Sequence, residues 1–314
     1  MKNSVTLRKR YGYLFLLIGV VFSAIWWLWF TPDNSNADTR PRHLLPKPSF
    51  AGHDKVDFSD LRPDLLISLG YSQKHLESRI DAVKSLPSDL TVPELDAILR
   101  FLMEYRPATV SEGDYAYFFH ELCNKLQQFP EIRSNFAAVL YQVAGDVKYD
   151  VITRDYAIQH LRRVWDKSFD IQALQQSIQA SFWQLADGEP STSAAAMLSL
   201  HNLGVTTSPR ADYARAPVPS SEFKPYIQAV LLQPPSAATI SQRMTAVRIA
   251  GDRRITSSTD LLITIVENDA EHMLVRTSAI NALGKLGMKD QLASLSARLT
   301  ADPRLTAAFL HATH

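Results

Sequence analysis

The 314-residue chain holds a single cysteine, Cys123. One thiol cannot close an internal disulfide, so the fold must rest on packing alone, and a small buried hydrophobe is the expected role of Cys123. Glycine is scarce as well, at 11 residues, and none of them falls into a G-x-G-x-x-G, G-x-x-x-x-G-K-[ST] or G-x-S-x-G pattern. The usual local signals for a dinucleotide, a nucleoside triphosphate and a hydrolase nucleophile are therefore missing. Charge of one sign is also lacking: 33 basic residues stand against 32 acidic ones. Setting aside Lys2, Arg8, Lys9 and Arg10 leaves 29 against 32, about −3, and no basic run follows residue 30. Nucleic acid is not an expected partner. No stretch alternates apolar and polar residues in the manner of a half-buried strand. The expected fold class is all-α.

Long apolar runs are absent too, with one exception at residues 12–30, GYLFLLIGVVFSAIWWLWF. This uncharged run is about long enough, at ~1.5 Å per residue, to cross a hydrocarbon core ~30 Å thick. Trp26, Trp27 and Trp29 cluster at its far end, where indole rings favour the bilayer interface, and the four bases ahead of it hold an N-terminus in the cytoplasm. The expectation is a retained single-pass anchor in the inner (cytoplasmic) membrane, with the body in the periplasm or outside. A cleaved secretory signal is the alternative, with Ser35-Asn36-Ala37 as its small-x-small site. Its usual core is shorter, at 7–15 residues, and seldom ends in bulky indoles. No cysteine directly follows the run, which excludes a lipoprotein-type anchor.

The remainder divides by composition. Residues 1–11 form a basic cytoplasmic tail and 12–30 the membrane helix. Residues 31–63, with prolines at 32, 41, 46, 48 and 63, read as an extended stalk on which Leu44, Leu45 and Phe50 could still dock. Residues 64–204 read as an N-terminal helical region, 205–221 as a loop or hinge rich in proline and small residues, and 222–314 as a C-terminal helical region. Within these, helices of 11–17 residues are expected. Residues 75–86 carry an apolar stripe at Leu76, Ile80, Val83 and Leu86 and stop at Pro87. Thr91-Val-Pro-Glu94 has capping-box spacing with proline in the first turn. Two further helices are expected over residues 114–129, ended by Pro130, and 131–144, closed by Gly145.

A repeat emerges in the later part of the chain. Residues 275–287, VRTSAINALGKLG, place Arg276, Ala279, Ala282, Leu283, Leu286 and Gly287 at fixed offsets. Gln242-Arg243-Met-Thr-Ala246 repeats the Arg and Ala; Thr192-Ser193 through Ala196, Leu200, Leu203 and Gly204 repeats the apolar frame with serine for arginine; Arg154 to Ala157 and Leu161 is a weaker copy. Pro303-Arg304 to Ala307 reads as a truncated last unit. This unit resembles the second helix of a HEAT repeat, in the short HEAT-like form of bilin-lyase-type proteins. The resemblance is clearest over 241–300, fair over 150–204 and absent before 145. It implies a HEAT-like α-solenoid of helical hairpins behind the membrane helix. It also implies that Arg154, Arg243 and Arg276 form an inter-repeat ladder with acids or helix carbonyls, the alternative role being an anion site. The aligned alanines 157, 196, 246 and 279 lie 39, 50 and 33 residues apart, the long interval containing the proline-rich loop.

Chemistry finds little purchase. His120-Glu121 begins a zinc-motif helix, but Asn124 stands where the second histidine belongs. His311 and His314 are spaced for a metal at a chain end that has no third ligand nearby in sequence. No catalytic, cofactor-binding or metal-binding residue is assigned, and the body is expected to catalyse nothing. The expected function is a membrane-anchored, envelope-exposed helical-repeat scaffold. Its expected partners are a protein or peptide at or near the membrane, and the lipid bilayer through residues 12–30. The alternative is a cell-envelope enzyme or enzyme accessory with a site before residue 150, where Tyr105, Tyr115, Tyr117, Phe118, Phe119 and Phe129 crowd together. Buried rings would make that region a packed cap, and exposed rings a site.

Overall fold

The computed structural model describes residues 44–50, 61–69, 75–104, 112–205, 216–299 and 302–313. The apolar run at 12–30, most of the proline-rich stalk, residues 206–215 of the expected hinge, Tyr105 and His314 lie outside the described residues. Among the described residues no helix is long and apolar enough to cross a membrane. No strand occurs among them either, and the all-α expectation holds.

The described chain is a succession of helical hairpins: α1 (Pro63–Ser68) with α2 (Leu76–Ser85), α3 (Val92–Glu104) with α4 (Glu112–Leu126), and α5 (Arg133–Gly145) with α6 (Val151–Lys167). Then come α7 (Gln172–Ala186) with α8 (Pro190–Asn202), α9 (Ser220–Leu232) with α10 (Ile240–Asp252), α11 (Thr259–Glu267) with α12 (Met273–Lys285), and α13 (Lys289–Arg298) with α14 (Pro303–Thr313). Each even-numbered helix packs on the next even one, from α2 through to α14, in an unbroken layer. Along the odd layer, close packing is confined to α3 with α5, α5 with α7, and α9 with α11. The even layer is the more closely packed of the two, and such stacking is how hairpin repeats bury a face that no single hairpin can bury.

Local chemistry explains the elements. At the start of α3 the Glu94 carboxylate accepts from the Thr91 backbone N–H at 2.8 Å, which completes the expected capping contact, and Arg62 Nε donates to the same side chain at 2.6 Å. Asp150 caps α6 by accepting from the backbone N–H groups of Ile152 and Thr153. Gly204 and Gly287, read from sequence as helix stops, adopt φ values of 64° and 77°.

The repeat extends further than the sequence register shows. Arg79 and Ala82 of α2 reproduce the Arg-x-x-Ala spacing, and the hairpin architecture runs back to Pro63. The resemblance had stopped at residue 145 because α4 contains no arginine at all and fills its interface with Phe118 and Phe119, both fully buried. Alanines 157, 196, 246 and 279 are fully buried where even helices cross, as expected.

Two further points concern the connections. Residues 44–50, read as part of the stalk, are laid against the body: Leu45 is buried, its N–H faces Ser181 Oγ at 3.4 Å, and Ser49 and Asn135 exchange hydrogen bonds of 2.8 and 2.6 Å. Arg100 sits 4.5 Å over the Phe50 ring. On either side of the expected hinge, α8 and α10 share one core, and Gln242 Nε2 donates to Ser193 Oγ at 2.9 Å.

Candidate functional site

The aligned arginines are structural. Arg154 Nε donates to the Ala144 carbonyl at 3.0 Å and its Nη1 to Glu189 at 2.9 Å. Arg243 bonds the carbonyls of Val230 and Gln233 at 3.1 and 2.6 Å and pairs with buried Glu271. Arg276 bonds the Val266 carbonyl at 2.9 Å and Asp269 at 3.0 Å. Arg79 makes the same contact to the Ser68 carbonyl at 3.2 Å, and Ser193 to the Ala186 carbonyl at 2.6 Å. In every case the fourth residue of an even helix caps the carbonyl end of the odd helix before it, where orphan acceptors and the helix dipole both favour a donor. Glu189 and Glu271 belong to the following repeat, so two of these arginines also tie repeats together. With their guanidinium groups engaged on helix-end carbonyls and on carboxylates, of which that of Glu271 is buried, Arg154, Arg243 and Arg276 are a ladder and not an anion site.

The histidine of the failed zinc motif finds a partner that spacing could not reveal. His120 on α4 faces His160 on α6, with Nδ1 and Nε2 3.0 Å apart, and Gln127 Nε2 lies 3.0 Å from His160 Nδ1. Burial first, then His120, Arg163 and Lys167, push the His160 pKa down to about 3, and burial and Arg163 also lower that of His120. Both rings are therefore neutral near pH 7. Among the described residues no three histidines, cysteines or carboxylates gather in a way that could hold a metal ion. Asn124 accepts from Arg163 at 2.9 Å, and His311 lies exposed on α14. Cys123 is fully buried and its thiol is pushed well above its usual range by that burial. Tyr115, Phe118, Phe119 and Phe129 are buried, while Tyr117 is exposed. The aromatic cluster before residue 150 is thus a packed cap.

A second histidine also belongs to the framework. Arg253 Nε donates to His201 Nδ1 at 3.0 Å, which leaves the His201 proton on Nε2, 3.3 Å from Asp252. Burial alone would raise the Asp252 pKa, but His201 and Lys285 hold it well below the usual carboxylate range. This Asp–His pair, its ring fully buried, joins α8, α10 and α12.

The even layer carries a groove of 610 Å³ between α6 and α8 that reaches Thr245 on α10. Its floor is low because α8 presents Ala194, Ala195 and Ser199 there; its α6 wall carries Asp155, Gln159, Arg162, Arg163 and Asp166. Repeat register sets α6 apart from the later even helices. Eight residues after the ladder arginine stand Gly251 on α10 and Gly284 on α12. A Cβ on Gly251 would meet Ala282 Cα at 2.9 Å, and one on Gly284 would meet the Ala312 carbonyl oxygen at 2.7 Å, so glycine is what lets those helices close up. On α6 the corresponding residue is Arg162, which lines the groove.

Comparison with known proteins agrees with this architecture. No curated protein matches the chain. The solved structure of human deoxyhypusine hydroxylase in complex with glycerol aligns over 79% of this chain and 95% of its own, at 15% identity and a TM-score of 0.26. A likeness that slight carries no argument about mechanism here. It does correct one expectation: with an enzyme among its structural neighbours, the chain cannot be classed as non-catalytic from missing motifs alone. The HEAT repeats family matches residues 230–312, from the end of α9 to α14. Together with the hairpin stack, that match gives the chain a HEAT-like helical repeat fold.

Proposed function

We propose that this chain is a membrane-anchored, envelope-exposed scaffold that holds a partner protein or peptide in the groove between α6 and α8. HEAT repeats commonly present an extended inner surface to protein partners. The observation that carries the reading is the groove itself, left between two packed even helices where small side chains lower its floor. Anchoring rests on the sequence: an uncharged run at 12–30, a basic tail before it and indoles at its end. On that reading the N-terminus is cytoplasmic and the body lies in the periplasm or outside. Confinement to a layer near the membrane raises the effective concentration toward other membrane-bound partners, so modest affinity suffices.

Two measurements test this. Ala195→Trp should fill the groove, remove the copurifying envelope partner and leave the melting temperature within a few degrees of wild type; retention of the partner would refute the groove. A reporter fused after His314 should be active only outside the cytoplasm, and cytoplasmic activity would refute the topology.

A further inference from the structure

Asp155 differs from Asp166, the other carboxylate of the groove, and from the paired acids Asp252 and Glu189 by what it lacks. Asp166, on the same wall of the groove, has Arg162 at 3.8 Å; Asp252 has Lys285 at 2.5 Å; Glu189 has Arg154 at 2.9 Å. Among the described residues Asp155 has no cation in contact, and its Oδ1 is buried without a hydrogen-bond partner. None of the neighbouring cations contacts it. Arg154, its neighbour in sequence, turns away to the Ala144 carbonyl, Glu189 and Thr192. Arg162 lies nearest Asp166, at 3.8 Å and with no hydrogen bond from its buried Nε, and Arg163 donates to Asn124 at 2.9 Å. A half-buried acid without a counter-ion costs stability, and such groups in clefts are where function is found. Burial, working against Arg154, pushes the Asp155 pKa up to about 6, which is the mark of that cost.

Apart from Gln159, Arg162, Arg163 and Asp166 on the α6 wall, the groove lining fits an extended chain. Ala194, Ala195 and Leu198 offer an apolar floor, Ser199, Asn202 and Thr245 offer hydrogen-bonding groups, and a volume of 610 Å³ is of the size that takes a short peptide segment. We infer that the groove takes an extended segment of the partner bearing a lysine or arginine, whose cation lies against the Asp155 carboxylate. This rests on the reading of the groove as the partner site and names the chemistry that the site selects.

The test uses the full-length chain and four blocked, dye-labelled alanine heptapeptides whose central residue is Arg, Lys, Gln or Glu, with binding read by fluorescence anisotropy. The Arg and Lys peptides should bind at least about tenfold more tightly than the Gln peptide, the scale expected for a charge-assisted contact. Asp155→Asn should erase that preference while the protein melts no lower than wild type, since the variant removes a charge that has no partner. Ala195→Trp should release every peptide. If the Gln peptide binds as well as the Arg peptide, or Asp155→Asn keeps the preference, while Ala195→Trp still releases them, the groove reading stands and this inference falls. If no peptide binding responds to Ala195→Trp, both fall.

Discussion

Asp155 gives the clearest forecast at the scale of a single residue. Its carboxyl titrates near pH 6 in the fold, against 3.8 as its ordinary value, because burial disfavours the charge. The folded state therefore takes up a proton before the unfolded chain does. The contribution of Asp155 is favourable below about pH 4 and lost as pH rises through about 6. Asp155→Asn should raise stability at pH 7 by roughly 1–2 kcal/mol, a two-unit shift discounted for partial exposure, and by nothing at pH 4. Urea midpoints at the two pH values check this. His160 has the opposite sign. Its pKa falls from 6.5 to about 3, so the stability its neutral ring confers is present above about pH 6.5 and lost as pH drops toward 3. His160→Gln should flatten the acid side of the stability profile between pH 6.5 and 4, and an unchanged slope would show that the ring is not desolvated. Neither residue was legible as special in the sequence. Asp155 is one of 32 acids, and His160 lies 40 positions from the histidine it meets.

At the scale of the element, the even helices carry the repeat and the ladder arginines fasten each to the odd helix before it. Arg243 is the most committed of these, with three carbonyls and Glu271 on one guanidinium. Arg243→Met would leave Glu271 buried without its cation and the end of α9 without its cap. A loss of about 3–5 kcal/mol is expected, and the Arg243→Met, Glu271→Leu double variant should recover part of it. Ala279→Leu tests the crossings: a fully buried alanine between stacked helices has no room for a larger side chain, and about 1–3 kcal/mol should be lost in denaturant unfolding. These features were largely readable beforehand. Arg-x-x-Ala followed by a closing glycine states the geometry of an even helix: cap the carbonyl end, cross closely, stop. The odd helices gave no comparable signal, because their positions follow from the partner they cover. The early hairpins were hidden because α4 replaces small residues with aromatics, which fill the same layer by bulk.

For the whole molecule, the hairpin stack from Pro63 to Thr313 makes one continuous layer of even helices, and that layer carries a groove between α6 and α8. Sequence periodicity indicated an array of helices but not where a groove would lie along it. Arg162, on the groove wall, stands where later repeats place Gly251 and Gly284, a difference that gains meaning only once the register of every unit is known. The central claim is that partner binding occurs on this face of the even helices. Site-specific photocrosslinking in cells tests it most directly, with a photoreactive residue placed at Leu198 in the groove or at exposed Gln176 on α7 of the odd layer. A discrete protein adduct from position 198, lost in the Ala195→Trp background and absent from position 176, is the predicted result. An adduct from position 176 alone, or none from the groove, would contradict the account.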